Sequence, residues 1–292
     1  MGGIGGGMSS VRARVDAHHH LWDTNERAYR WMDGAWADPL RGRFRPAELV
    51  AAMRNSGPIE TIAVQAVTDT AESAELLAIA ADPATPVAAV VGWVDLTAPD
   101  TADQIAVLRD GPGGERLVGI RHLVQDEPDP RWLLRADVGR SLAALTAAGL
   151  VYDLLVKPPQ LAAAWQVARE HPEQSFVLDH IGKPEIGVGA WEPWATTIRR
   201  LGSLPNVAVK VSGLVTEADW RDWTVEQILP YARHALEAFG PERAMFGSDW
   251  PVCTLAASYD DVLSLTAQLC TDLSTTERDR VFGDTARAVY GI

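Results

Sequence analysis

Short apolar, β-branched runs recur along the chain, each followed by an Ala- and Leu-rich stretch of helical period. The runs occupy residues 14–20, 61–67, 87–94, 117–123, 151–156, 175–180, 206–212 and 243–249. Between and after them lie stretches with a period near 3.6, at 46–55, 71–81, 101–109, 137–148, 159–170, 191–201, 224–239 and 259–270. The pattern predicts eight strands alternating with helices. A last amphipathic stretch, 274–290, follows. Most runs are apolar throughout; Ala88-Ala89-Val90-Val91 and Leu154-Leu155-Val156 are examples. Such runs imply burial on both faces, as in a parallel sheet covered by helices. Pro46 and Pro159 stand where a first helical turn tolerates proline. Ser274-Thr-Thr-Glu277 has the form of a capping box. Eight βα units in about 280 residues match a single-domain (β/α)8 TIM barrel in count and length, placed at residues 11–292. Residues 1–10, MGGIGGGMSS, read as a flexible leader. A doubly wound sheet would carry a glycine-rich phosphate turn after the first strand; here the first run ends in histidines.

Composition narrows the function. The 292 residues include 26 Lys plus Arg and 39 Asp plus Glu, a net charge of −13. That balance argues against nucleic acid or an anionic membrane as partner, since both require a basic face. Two cysteines cannot build a disulfide framework, and no secretory signal is visible, so a cytoplasmic location is expected. No apolar run approaches the roughly 18 residues of a membrane span. Tryptophan is the unusual count, 11 against five Tyr and five Phe. Large aromatics line ligand sites as well as cores.

In a barrel, catalytic residues come from the C-terminal ends of strands. The first run ends Val15-Asp-Ala-His-His-His-Leu-Trp22. Side chains alternate along a strand, so His18 and His20 share a face and His19 points away. Two imidazoles on one face can converge on a metal ion or a substrate oxygen. The sixth run ends Phe176-Val-Leu-Asp-His180, and the eighth ends Met245-Phe-Gly-Ser-Asp249-Trp-Pro251. Each feature alone has an ordinary structural explanation: a polar cluster, a strand-end histidine, a turn-capping aspartate. Only a closed barrel brings His18, His20, His180 and Asp249 together from three strands, and that joint placement favours function. The fourth run ends Gly119-Ile-Arg-His122, where Arg121 and His122 point to opposite faces, so at most one lines the lumen. The fifth run ends Val156-Lys157-Pro158, without histidine.

These segments resemble the amidohydrolase superfamily, in the branch called amidohydrolase 2, and within it the L-fucono- and L-rhamnono-lactone hydrolases. The resemblance runs from about residue 14 to 290 and rests on Asp16-Ala-His-His-His-Leu-Trp22, Leu178-Asp-His-Ile-Gly-Lys-Pro184 and Phe246-Gly-Ser-Asp-Trp-Pro251, with weaker matches at Val64-Gln65-Ala66, Val91-Gly-Trp-Val-Asp95, Gly119-Ile-Arg-His122, Asp153-Leu-Leu-Val156 and Lys210-Val-Ser-Gly-Leu214. It implies a barrel with its site at the strand C-terminal mouth. His18 and His20 match the family's strand-1 pair, His180 its strand-6 histidine and Asp249 its strand-8 aspartate. The superfamily's bridging Lys or Glu on strand 4 is absent, which argues against a binuclear metal site. Its strand-5 histidine is absent too. Members of the branch are known with one divalent metal and without any.

Opening a lactone needs an activated water, a polarised carbonyl and a protonated leaving oxygen. Asp249 is the candidate base. His18, His20, His180 and Asp249 are the candidate ligands for one Zn²⁺ or Mn²⁺; without metal, the histidines would act as an oxyanion site. Trp22, Gln65, Trp93, Arg121, His122, Lys183 and Trp250 are the candidates to read a small polyhydroxylated lactone. For Arg121 and Lys183 the alternative is an ion pair at the rim. Trp31 and Trp36 are candidate rim residues. Trp132, Trp165, Trp191, Trp194, Trp220 and Trp223 are expected to pack. Strand ends offer one arginine, where a dicarboxylate lactone would ask for several, so a neutral polyol is expected. The alternatives are another lactone, ester or amide substrate, or a related decarboxylation.

Overall fold

The computed structural model describes residues 13–57 and 59–292; the expected leader at 1–10 lies outside them. Eight parallel strands stand in chain order: β1 Arg14–His19, β2 Ile59–Val64, β3 Val87–Gly92, β4 Leu117–His122, β5 Val151–Leu154, β6 Phe176–Leu178, β7 Val207–Val211 and β8 Ala244–Phe246. Parallel pairing links each strand to the next. The ring closes where His20 N donates to Trp250 O (2.7 Å) and Asp249 N donates to His18 O (2.8 Å). Closure therefore sets the His-x-His of β1 directly beside Asp249.

The helices α1 Pro46–Ala52, α2 Thr70–Ala80, α3 Thr101–Asp110, α4 Ala136–Ala147, α5 Leu161–Glu170, α6 Trp194–Gly202, α7 Val225–Phe239 and α8 Tyr259–Leu269 cover the outside. The final amphipathic stretch splits into α9 Thr275–Asp279 and α10 Thr285–Tyr290 around a wide turn at Arg280–Asp284. Ser274 caps α9 as expected, its hydroxyl accepting from Glu277 N.

Alternation along the strands divides the core. Val15, Ile62, Val64, Ala89, Val91, Val151, Val177, Ala208 and Met245 fill the lumen. Intervening residues such as Ala63, Val90, Ile120, Tyr152, Leu178 and Val209 pack against the helices. That two-sided burial is what the continuous apolar runs predicted. The register of β1 shifts between Asp16 and His19, an irregularity of the kind that re-aims side chains.

The lumen also holds charge. Lys210 Nζ lies 2.5 Å from Asp153 Oδ2 and 3.1 Å from Asp179 Oδ1, all of them fully buried. Tyr290, from α10, donates its hydroxyl to Asp153 (2.8 Å to Oδ1) and lies beneath Lys210. Buried charges are tolerated only when paired in this way. No helix among the described residues is long and apolar enough to cross a membrane.

Candidate active site

His18 and His20 project from the end of β1 on one face. His19 turns away, its Nε2 2.9 Å from Thr61 Oγ1. His20 Nδ1 donates to the Val64 carbonyl (2.8 Å), which fixes the tautomer and leaves Nε2 with its lone pair facing the mouth. His20 Nε2 lies 3.3 Å from His18 Nε2 and 3.5 Å from Asp249 Oδ1, and His18 Nε2 lies 3.8 Å from that oxygen. Three ligands held about 2.1 Å from one tetrahedral ion stand about 3.4 Å apart. The donor set therefore fits a single divalent metal. His180 Nε2, 3.9 Å from Asp249 Oδ1, flanks the same oxygen.

The first ring of residues is held by a second. His18 Nδ1 faces Asp179 Oδ1 at 3.3 Å. Asp179 also meets Lys210 and accepts from Arg121 Nη1 (3.0 Å). Burial pushes the Asp179 carboxyl up, but Lys210, His18 and Arg121 outweigh it and hold it well below the usual range. A carboxylate behind a histidine orients the ring and strengthens it as a ligand. His180 Nδ1 pairs with Ser212 Oγ (2.9 Å). Burial holds His20 down to about 3 and His180 to about 4, so both are neutral imidazoles at pH 7. It pushes the Asp249 carboxyl up, against the pull of His180 and Lys183.

The backbone is strained where these side chains leave it. His180 (φ 53°), Ile181 (φ 47°), Lys183 (φ 50°) and Asp249 (φ 58°) all adopt left-handed conformations, which cost on the order of 1 kcal/mol each in a non-glycine residue. The sixth strand thus ends at Leu178, two residues before the predicted boundary, and His180 belongs to a tight turn. Two glycines make room. A Cβ on Gly213 would stand 2.5 Å from His180 Nδ1, and one on Gly247 2.7 Å from His18 Cβ.

The comparisons with known proteins bear on family and fold. Residues 15–292 match the family model described as amidohydrolase. The chain belongs to the amidohydrolase family. It is 42% identical to an L-fucono-1,5-lactonase of Burkholderia multivorans and 36% identical to one of Burkholderia ambifaria, with 96% of both chains covered in each comparison. A crystal structure of a Burkholderia multivorans amidohydrolase with bound zinc superposes with a TM-score of 0.91 at 41% identity, covering 96% of this chain and all of that one.

In this amidohydrolase a pocket of about 270 Å³ opens over the cluster, lined by His20, Arg121, His180, Asp249 and the rim residues Trp31, Trp36, Lys183, Glu217 and Trp220. The other candidate readers divide. Lys183 and Arg121 reach the pocket, and both are paired, Lys183 with Glu217 at 3.1 Å and Arg121 with Asp179. Arg121 is almost fully buried. Its Nη1 stands 3.2 Å from His18 Nε2, a nitrogen that thus presents its lone pair to a cation. Gln65 is fully buried and holds Arg121, accepting from its Nε through Oε1 (3.0 Å) and from Nη2 through its own carbonyl. Trp22 and Trp250 are buried and pack on Phe44, each an edge-on pair. Trp22 donates to the Leu40 carbonyl. Trp93 and His122 lie in a neighbouring, more open cleft with Trp132.

The amidohydrolase site also contains residues that the sequence reading passed over. Trp220, expected to pack, lines the pocket at 6.0 Å from Trp36. Asp179, Lys210, Ser212 and Glu217 carry the surrounding polar framework. Asp179 had a visible signal, an acid beside His180 at the end of an apolar run. Glu217 had none, because its position follows from a loop.

Proposed function

We propose that this enzyme hydrolyses the lactone ring of a sugar acid of the L-fucono-1,5-lactone class, with Asp249 as the base that activates water. The observation that carries the reading is the convergence of His18, His20, His180 and Asp249 beneath a small pocket with tryptophan walls, in a chain 42% identical to an L-fucono-1,5-lactonase. All contacts of Asp249 with the histidines run through Oδ1, which leaves Oδ2 to take the proton. The water oxygen adds to the lactone carbonyl while its proton passes to Asp249. As the ring C–O bond breaks, Asp249 returns that proton to the departing ring oxygen, and the hydroxy acid is released. A neutral His180, held by Ser212, is oriented to hydrogen-bond the carbonyl oxygen as charge develops there. His18, His20 and Asp249 would hold one divalent metal, zinc or manganese by donor type, which when bound would supply Lewis acidity to the carbonyl and acidity to water. Asp179, backed by Lys210 and Arg121, keeps His18 aligned.

Tryptophan faces at Trp31, Trp36 and Trp220 suit the apolar face of a deoxy sugar ring, and the surrounding donors suit its hydroxyls. We read residues 11–292 as one catalytic domain acting on a small molecule in the cytoplasm, without nucleic acid or membrane as partner; the two free, buried thiols, Cys253 and Cys270, fit a reducing compartment. The test is acid release from a panel of aldonolactones, with spontaneous hydrolysis subtracted. L-Fucono-1,5-lactone is expected among the best substrates. Rates no greater than buffer across the panel would overturn the assignment.

A further inference from the structure

Six formally charged side chains line the pocket, and they balance. Arg121, Lys157 and Lys183 stand against Asp126, Glu217 and Asp249. Arg121 is already committed to Asp179. Lys183, from the turn after β6, reaches across the mouth. Its Nζ lies 3.1 Å from Glu217 Oε1 in the loop after β7 and 3.1 Å from Gln125 Oε1 in the loop after β4. The pair is only about a fifth exposed, 19% and 21%, so bulk water screens it less than a surface pair.

We propose that Glu217 is a specificity-determining residue that makes the pocket select neutral lactones over anionic ones. The inference deepens the lactonase reading and rests on it. A ligand carboxylate entering this mouth meets a lysine whose charge is already compensated and a glutamate that repels it. A polyol meets something different: an ammonium N–H, an amide and a carboxylate oxygen, a ready set of donors and acceptors for hydroxyls. The same charge acts after turnover. Hydrolysis turns a neutral lactone into a sugar-acid anion, and Glu217 disfavours that anion where the lactone was welcome. Specificity by a repulsive element is a general device.

The test is Glu217→Gln, which keeps the shape and the acceptor oxygen and removes the charge. For wild type and variant, kcat/KM is measured on a neutral aldono-1,5-lactone and on an aldarolactone carrying a free carboxylate. The ratio is expected to shift about fivefold towards the anionic lactone at low ionic strength, the scale of one partly screened charge pair. The shift should shrink in about 0.5 M salt, and Glu217→Asp should restore discrimination. Binding of the sugar-acid anion, measured by calorimetry without turnover, should tighten by a similar factor in Glu217→Gln. An unchanged ratio together with unchanged anion affinity would overturn the proposal. Wild-type enzyme that turns over no neutral lactone sinks the lactonase reading instead, and the calorimetric arm then still decides whether Glu217 repels anions.

Discussion

Two histidine sites stand side by side at the barrel mouth, and they are built on opposite principles. At the centre, His18, His20 and His180 direct Nε2 towards one carboxylate oxygen. In the neighbouring cleft, His122 leaves β4 on the face opposite Arg121 and has both nitrogens engaged. Trp93 donates its indole N–H to His122 Nδ1 (3.0 Å), and Nε2 meets Glu127 Oε1 at 2.7 Å. Trp132 stacks flat on the ring at 4.3 Å between centroids. His122 is a fastener whose polar atoms are spent on the fold. His20 and His180 leave Nε2 facing only the other site residues, in a buried place where weakly partnered polar atoms are costly, and four strained residues accompany them. Burial and strand-end position are common to both sites; unspent hydrogen-bonding capacity separates them.

Mutations should separate the two sites in order of effect. Asp249→Asn removes the proton acceptor, and kcat is expected to fall about 10²- to 10⁴-fold while circular dichroism and melting stay near wild type. Near-wild-type turnover would break the base assignment. His20→Asn should abolish stoichiometric metal, read by elemental analysis after dialysis against zinc, and chelation of the wild type should reproduce its kinetic defect. Asp179→Asn leaves every pocket group in place but loosens His18; a drop of about 10- to 100-fold in metal affinity or activity is expected. His122→Phe should do the reverse. Catalysis should stay within about twofold, while stability falls by about 1 kcal/mol because the half-buried Trp93 N–H loses its acceptor. A large kinetic loss from His122→Phe would erase the distinction between the two sites.

The sequence made the barrel and the central cluster readable for a definite reason. Eight buried strands demand eight apolar runs, and each run has a last residue that can be inspected. His18 and His20 follow from strand alternation, and so does the opposition of Arg121 and His122. What surrounds the cluster was not readable in that way. Lys210 sits in Val-Ala-Val-Lys-Val, a pattern that suggests a solvated side chain, yet it points inward and neutralises two acids. Trp22 and Trp250 neighbour site residues in sequence, but Trp22 stacks behind His20 and both rings are buried against Phe44. Trp220 and Glu217 reach the pocket through the path of a loop, which hydrophobic period does not encode. Gln65 and Arg121 have the polarity of substrate readers; their burial makes them supports for one another and for Asp179.

The hydroxyl of Tyr290 has a consequence for how the molecule is made. It is bonded to Asp153 across 137 residues of sequence, and the first and last strands also meet only at the ring's seam. A chain emerging from the ribosome can pair β1 to β7 in order, yet its interior lysine and acids stay without their last partner until α10 arrives. Contacts of such separation form slowly, because the intervening loop entropy is lost before they repay it. The final turn of helix thus acts as a keystone: it completes a chain of contacts that runs from Tyr290 through Asp153, Lys210 and Asp179 to His18 at the mouth.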